Sequence, residues 1–294
     1  MSEESDDREP PRWLTPLLVA GAFALIAFAE TRRPLRRRRE RRATHTARNL
    51  ATAGLTAAIT SALQAPLLAP LVARVTRDRL GLLHRLPLPR SVRTLLGVLL
   101  LDYTLWWWHR ANHELPPLWR FHLVHHVDRD LDASTAIRFH FGELSLSVFY
   151  RMAQVRLFGV DAFTLSLWQT LLLVSIAFHH SNLRLTPELE RRLARWIVTP
   201  RMHGIHHSDY RDETDSNWSS LFSWWDRLHG TLRLDVPQNA IDIGVPAYAR
   251  ASDVTLAAIT ALPFRAQRDD WMATGGAQHL VRPSPVSTET APPC

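Results

Sequence analysis

Uncharged stretches alternate with arginine-rich ones along most of this chain. Trp13 to Ala29 runs seventeen residues without a charge, near the lower limit for a helix that crosses a bilayer. Leu50 to Ala73 runs twenty-four, with Pro66 and Pro70 predicting a kink or a hairpin. Leu95 to Trp108 carries only Asp102, and Leu144 to Phe158 is apolar apart from Arg151 and Arg156. Ala162 to Phe178 is again uncharged over seventeen residues. This pattern predicts an all-α integral membrane protein, a helical bundle carrying a histidine-rich metal cap on its cytoplasmic side.

The organisation follows from the same pattern. Residues 1–12 are acidic and polar and are expected to be disordered. Residues 13–93 form a membrane anchor region with arginine-rich loops. Residues 94–235 form the histidine-bearing domain, 236–264 a C-terminal extension, and 265–294 a tail expected to be disordered. The acidic start differs from the basic front of a secretory signal, so the first apolar stretch reads as an uncleaved anchor. Eight arginines follow it between Arg32 and Arg42. A basic run directly after an apolar span marks the cytoplasmic side, and with no aromatic interleaving it does not suggest nucleic-acid binding.

Eleven of the fifteen histidines lie between His109 and His207. His109 and His113 form HxxxH, and His122, His125 and His126 form HxxHH. That second pattern returns at His203, His206 and His207. Residues three and four apart share a helix face. Each HxxHH is therefore expected to point two imidazoles together, with His126 and His207 splayed aside. Imidazole suits iron, zinc, copper and nickel. Eight of them exceed the needs of one ion and match two. Pro116 and Pro117 should end the first histidine helix and open a second. Asp102, seven residues before His109, could orient a ligand imidazole or pair with an arginine. Asn217 and Asp226 could support the site or serve as turn residues.

The chain carries a formal charge of +7, and all 35 of its basic side chains are arginine. That bias points to a GC-rich bacterial genome, and so to a bacterial inner membrane with the site facing the cytoplasm. The sole cysteine, Cys294, leaves no disulfide, thiolate site or cysteine nucleophile within the fold. Neither Glu-x-x-His nor His-Glu-x-x-His occurs, which disfavours soluble di-iron bundles and zincin proteases. A carboxylate-poor histidine site beside a membrane suits oxygen activation next to a lipid. The alternative is a non-catalytic metal-binding membrane protein or a zinc-dependent membrane enzyme.

From Asp102 to Thr231 these motifs resemble the fatty acid hydroxylase superfamily, which includes sterol desaturases, sterol methyl oxidases and alkylglycerol monooxygenase. The resemblance rests on DYTLWWWHRANH, on the two HxxHH motifs, and on Arg138-Phe139-His140 and His180-Ser181-Asn182. It continues from Asn217 through Trp225-Asp226 to Gly230-Thr231. It implies an O2-dependent di-iron monooxygenase or desaturase with two iron ions. Electrons would come from a separate ferredoxin, cytochrome or reductase, and the substrate would be a sterol, hopanoid, fatty acyl chain or related lipid. It makes His109, His113, His122, His125, His126, His203, His206 and His207 ligands, with His180 a ninth and His179 a bystander. His140 is a ligand or a supporting group, and Asn182 is a further supporting candidate.

Overall fold

A computed structural model describes residues 14–273 and 275–283. Residues 1–12, the segment expected to be disordered at the start, lie outside them. The described residues are all-helical, with only isolated β-bridges between loops. Five longer helices build the body: α1 (Leu14–Arg32), α2 (Arg42–Arg77), α3 (Arg90–Glu114), α5 (Phe141–Phe158) and α6 (Ala162–His180). Shorter ones complete the histidine end: α4 (Pro116–His126), α7 (Pro187–Leu193), α8 (Pro200–His206), α9 (Arg211–Thr214), α10 (Trp224–His229) and α11 (Leu256–Ala261).

Helix α2 corrects one expectation. It runs unbroken through Pro66 and Pro70 rather than folding back as a hairpin. Each proline removes one N–H from the ladder. The prolines stand four apart, so both defects lie on one face, and the helix is carried past them by packing along α5 and α6. Among the described residues, two segments are long and apolar enough to cross a membrane, residues 42–84 and 162–180.

The apolar core fills the end of the bundle away from the histidines. Val72 and Val75 of α2 meet Val98 and Leu101 of α3, Val155 and Phe158 of α5, and Trp168 of α6. At the other end the C-terminal extension covers the back of α4, where Leu123, Val124 and Val127 pack against Val245, Tyr248, Val254 and Ile259. The apolar positions of α4 are thus taken up by the extension, and its imidazoles face inward.

The arginine run does more than mark a side. Arg36 donates to the Pro200 carbonyl at 3.1 Å, Arg38 pairs with Asp132 at 2.6 Å, Arg39 with Asp242, and Arg42 with Glu30 at 2.8 Å. The loop between α1 and α2 is therefore laced onto the histidine end. The segment from Arg265 also departs from the expected disorder as far as Pro283. Asp270 accepts a bond from Trp119 Nε1 at 2.6 Å, and Arg282 pairs with buried Glu213 at 2.8 Å. Polar composition pointed to a solvated tail, yet these charged side chains find partners on the body. The rest of that tail lies outside the described residues.

Candidate metal centre

Helix α3 ends at Glu114, and Pro116 and Pro117 open α4 as its first two residues. Proline is tolerated there because its missing N–H would have had no helical partner. The chain reverses at Leu115, so the two histidine-bearing helices face one another. Helix α8 begins with Thr199, whose side chain caps the Met202 N–H, followed by Pro200. It brings His203, His206 and His207 against α4 and the end of α6.

All nine histidines singled out in the sequence converge, and they form two groups. His109, His113, His122, His126 and His206 make one; His125, His180, His203 and His207 make the other. Within each group the nearest ring nitrogens all lie within 4.8 Å of one another, close enough to hold a metal ion. The division overturns the expected pairing. In each HxxHH the first and last histidines, four apart, stay together, and the middle one crosses to the other group. His122 and His126 join the first group while His125 joins the second; His203 and His207 join the second while His206 joins the first. Four residues is closer to a full helical turn than three, so the i,i+4 rings are better aligned.

The outward nitrogens explain how the rings are aimed. Nδ1 of His109 bonds the Trp218 carbonyl at 2.7 Å, that of His125 the Arg138 carbonyl at 3.1 Å, and that of His206 the Ser216 carbonyl at 2.8 Å. His180 Nδ1 bonds the Ile176 carbonyl at 2.7 Å, and His122 Nδ1 bonds Glu143 Oε1 at 2.9 Å. Carbonyl and carboxylate oxygens only accept, so these Nδ1 atoms donate and each Nε2 keeps its lone pair. In the first group Nε2 of His113, His122, His126 and His206 is buried without a partner. In the second, Nε2 atoms face only one another: His125 to His180 at 3.0 Å, His180 to His203 at 2.9 Å, His203 to His207 at 3.1 Å. Nε2 of His125 and Nε2 of His180, both left as acceptors by their Nδ1 bonds, lie 3.0 Å apart, which is unfavourable unless a cation lies among them. The donor set therefore fits a metal in each group.

Burial pushes the imidazoles of His125, His126, His203 and His207 well below their ordinary range, and His206 to about 3, with neighbouring imidazoles acting in the same direction. All five stay neutral near pH 7, as metal binding requires.

The supporting residues differ from expectation. Among the described residues Asp102 pairs with no imidazole and no arginine; it accepts from the Phe222 N–H at 3.1 Å and from Trp225 Nε1 at 2.6 Å. Seven residues of helix span about 10.5 Å, too far for its carboxylate to reach His109. His140 stands outside both groups. Its Nδ1 caps α5 by accepting the Gly142 N–H, and its Nε2 donates to the Thr260 carbonyl. Asn182 clamps the backbone of Arg36 with two bonds, one accepted and one donated. Asn217 has a positive φ of 53°. It bonds Met202 and Arg233 backbone groups, so that the carbonyls on either side of it, Ser216 and Trp218, meet His206 and His109. Asp226, fully buried, accepts from Trp106 Nε1, Thr231 Oγ1 and the N–H groups of Trp218 and Ser219. Neither touches a histidine, but both shape the loop that does.

Sequence reading missed Glu143 and the four carbonyls, those of Arg138, Ile176, Ser216 and Trp218. The carbonyls leave no trace in residue identity. Glu143 had one signal, a carboxylate at the start of an otherwise apolar helix. His45, outside the histidine motifs, is a hydrogen-bonded core residue. It is fully buried and bridges Asp128 and Asp132 at 2.9 and 3.1 Å. Burial alone would raise both carboxyls, but Arg138 and His45 beside Asp128, and His45, Ser134 and Arg38 beside Asp132, hold them well below the usual range. This network fixes the loop whose Arg138 carbonyl aims His125.

A cavity of about 380 Å³ opens onto the histidines from the bundle side. Leu105, Trp108, Phe139, Leu144, Leu172 and Ile176 give it apolar walls, and His109, His122, His125, His180 and His203 form its floor.

The fatty acid hydroxylase family model matches residues 94–231. Curated relatives include the ornithine lipid hydroxylase OlsE of Rhizobium tropici, 29% identical over 53% of this chain and 46% of its own length. Alkylglycerol monooxygenase of Xenopus tropicalis is 30% identical over 47% of this chain and 29% of its own. Human cholesterol 25-hydroxylase is 30% identical over 47% of this chain and 50% of its own. The matches thus span half or less of these relatives. No solved structure matches the chain. The segment similar to the fatty acid hydroxylase family, residues 94–231, holds all nine converging histidines.

Proposed function

We propose that this protein is a membrane-bound non-haem di-iron oxygenase that hydroxylates or desaturates a lipid. The observation that carries the reading is the convergence of nine histidines into two groups beside an apolar cavity. The first group of five and the second of four would each hold one iron. Two irons so held would activate O2 for attack on an unactivated C–H bond, chemistry that no side chain supplies. The residues do the rest. The Nδ1 contacts hold the rings of His109, His122, His125, His180 and His206 in their ligating tautomer. Phe139 stacks on His125 with ring centroids 4.5 Å apart, and with Trp108 and Ile176 it keeps the floor dry.

A lipid substrate suits the cavity walls and the outer surface. Leu17, Leu25 and Phe28 on α1, Leu50 and Leu55 on α2, Phe149 and Leu157 on α5, and Phe163 on α6 are all exposed. Apolar side chains spread over four long helices are what a bilayer would cover. The laced arginine loop keeps the histidine end on the basic side, which the positive-inside rule assigns to the cytoplasm, where a separate electron donor can reach it.

Elemental analysis of the purified protein should find two irons per chain, and supplying reductant and O2 should yield an oxidised lipid. Zinc in both groups, with no O2 consumed, would reject the reading in favour of a zinc site.

A further inference from the structure

Helix α5 presents a polar line to the cavity. Glu143, Ser147 and Arg151 stand four apart on one face, and all three line the cavity. Glu143 marks the histidine end through His122. Arg151 lies eight residues further on, about 12 Å along the axis. The guanidinium has one hydrogen bond and one ring contact. Its Nη1 donates to Gln154 Oε1 at 2.7 Å, and its Cζ lies 4.0 Å from the Trp168 ring centroid. Gln154 is itself tied to α3 through the Leu101 carbonyl at 3.3 Å. No carboxylate pairs with Arg151 among the described residues, and its Nε and Nη2 donors have no partner there.

An arginine inside an apolar bundle, facing a cavity and lacking a counter-ion, is costly unless something anionic reaches it. Gln154 and Trp168 hold the group in place without neutralising it. The open edge of a guanidinium matches a carboxylate or phosphate with two parallel N–H···O bonds. From this geometry we infer that the substrate is an amphiphile with an anionic head, carboxylate or phosphate, which Arg151 receives. Its alkyl chain runs along α5 to the histidines, so that the oxidised carbon lies on the order of 12 Å from the head. The inference rests on the lipid-oxidising reading of the same cavity.

The test is binding, read apart from turnover. Purified full-length protein in a neutral detergent is equilibrated with radiolabelled hexadecanoate, hexadecyl phosphate or hexadecanol, and bound ligand is counted. Wild type should bind at least one of the two anions about 10-fold or more tighter than the alcohol. Whichever anion leads identifies the head as carboxylate or phosphate. R151Q should bind all three alike, and R151K, which keeps the charge but loses the planar fork, should retain part of the preference. If R151Q does not fold, R151K carries the assignment. Wild type binding the alcohol as tightly as both anions would overturn the proposal, as would an R151Q protein that keeps the preference. Metal content and O2-dependent product are measured separately. Their absence would count against the oxygenase and leave the head-group preference standing.

Discussion

Glu143 offers the sharpest test of how the site is held. Its Oε1 accepts from His122 Nδ1 at 2.9 Å, with both side chains buried. In E143A that partner disappears, and the ring is free to rotate or change tautomer. Loss of such a partner typically costs ~10–100-fold in metal affinity or activity, about 1.4–2.8 kcal/mol. E143Q keeps a carbonyl oxygen at the same reach, so His122 keeps its donor role. It should stay within a few-fold of wild type in metal affinity. Affinity is read by titrating loaded protein with a chelator and following retained metal by elemental analysis. Product per chain is read by mass spectrometry. The second oxygen, Oε2, is buried without a partner beside the cavity, so turnover in E143Q can fall for reasons unrelated to the ring, and metal affinity is the deciding readout. An E143A protein that holds two metals as tightly as wild type would refute the idea that this contact aims His122.

Other expectations follow from the same geometry. His125→Ala strikes the four-histidine group and His206→Ala the five-histidine group; each should cost at least ~10–100-fold in product formed, the cost of losing even a supporting partner. The double variant should be little worse than either single one, while His84→Ala and His279→Ala should leave product formation intact. A His206→Ala protein with two irons and near-normal turnover would sink the shared-site reading. Metal-free protein should lose stability as pH falls. The folded pKa of His206 is about 3 and those of His125, His126, His203 and His207 are also depressed by burial, so below about 6.5 the unfolded chain binds protons that the folded chain does not. Thermal unfolding midpoints should therefore fall steadily from pH 7 toward pH 4, and a flat profile would contradict neutral buried imidazoles. Reporters fused after Arg42 and after Trp225 should both report the cytoplasmic side; opposite sides would break the topology.

Much of this arrangement was legible in the sequence, for identifiable reasons. Long uncharged stretches bounded by arginines gave the helices, because charge is excluded from apolar packing wherever it lacks a partner. Eight of the nine converging histidines were legible because repeated spacing on helices has few bland explanations, and His180 entered through the resemblance alone. What lay hidden depended on approach in three dimensions. The continuity of α2 through two prolines was decided by its neighbours. His140 followed a histidine-rich logic in the sequence, but the Gly142 N–H two residues on made it a helix cap. Asp102 seemed placed to support His109, and helical rise alone put it out of reach. Asn217 and Asp226 act through Ser216 and Trp218 carbonyls, a relay that residue identity does not encode.

The crossing of the two HxxHH motifs bears on why the pattern occurs twice. Had each motif served one metal, α4 could shift against α8 and disturb the groups independently. Instead each helix gives two rings to one group and one ring to the other. The rings of His126 and His207, from different groups, stack with centroids 4.4 Å apart. Any sliding of α4 on α8 then distorts both groups together. The outer contacts oppose such sliding. The Arg138 carbonyl holds His125 and Glu143 holds His122 on α4, while the Ser216 carbonyl holds His206 on α8. Two separate single-metal sites would gain nothing from this cross-linking. A chemistry that needs two metals at a fixed separation would, since the spacing is then set by the packing of two helices already braced against the extension and the loop at Asn217.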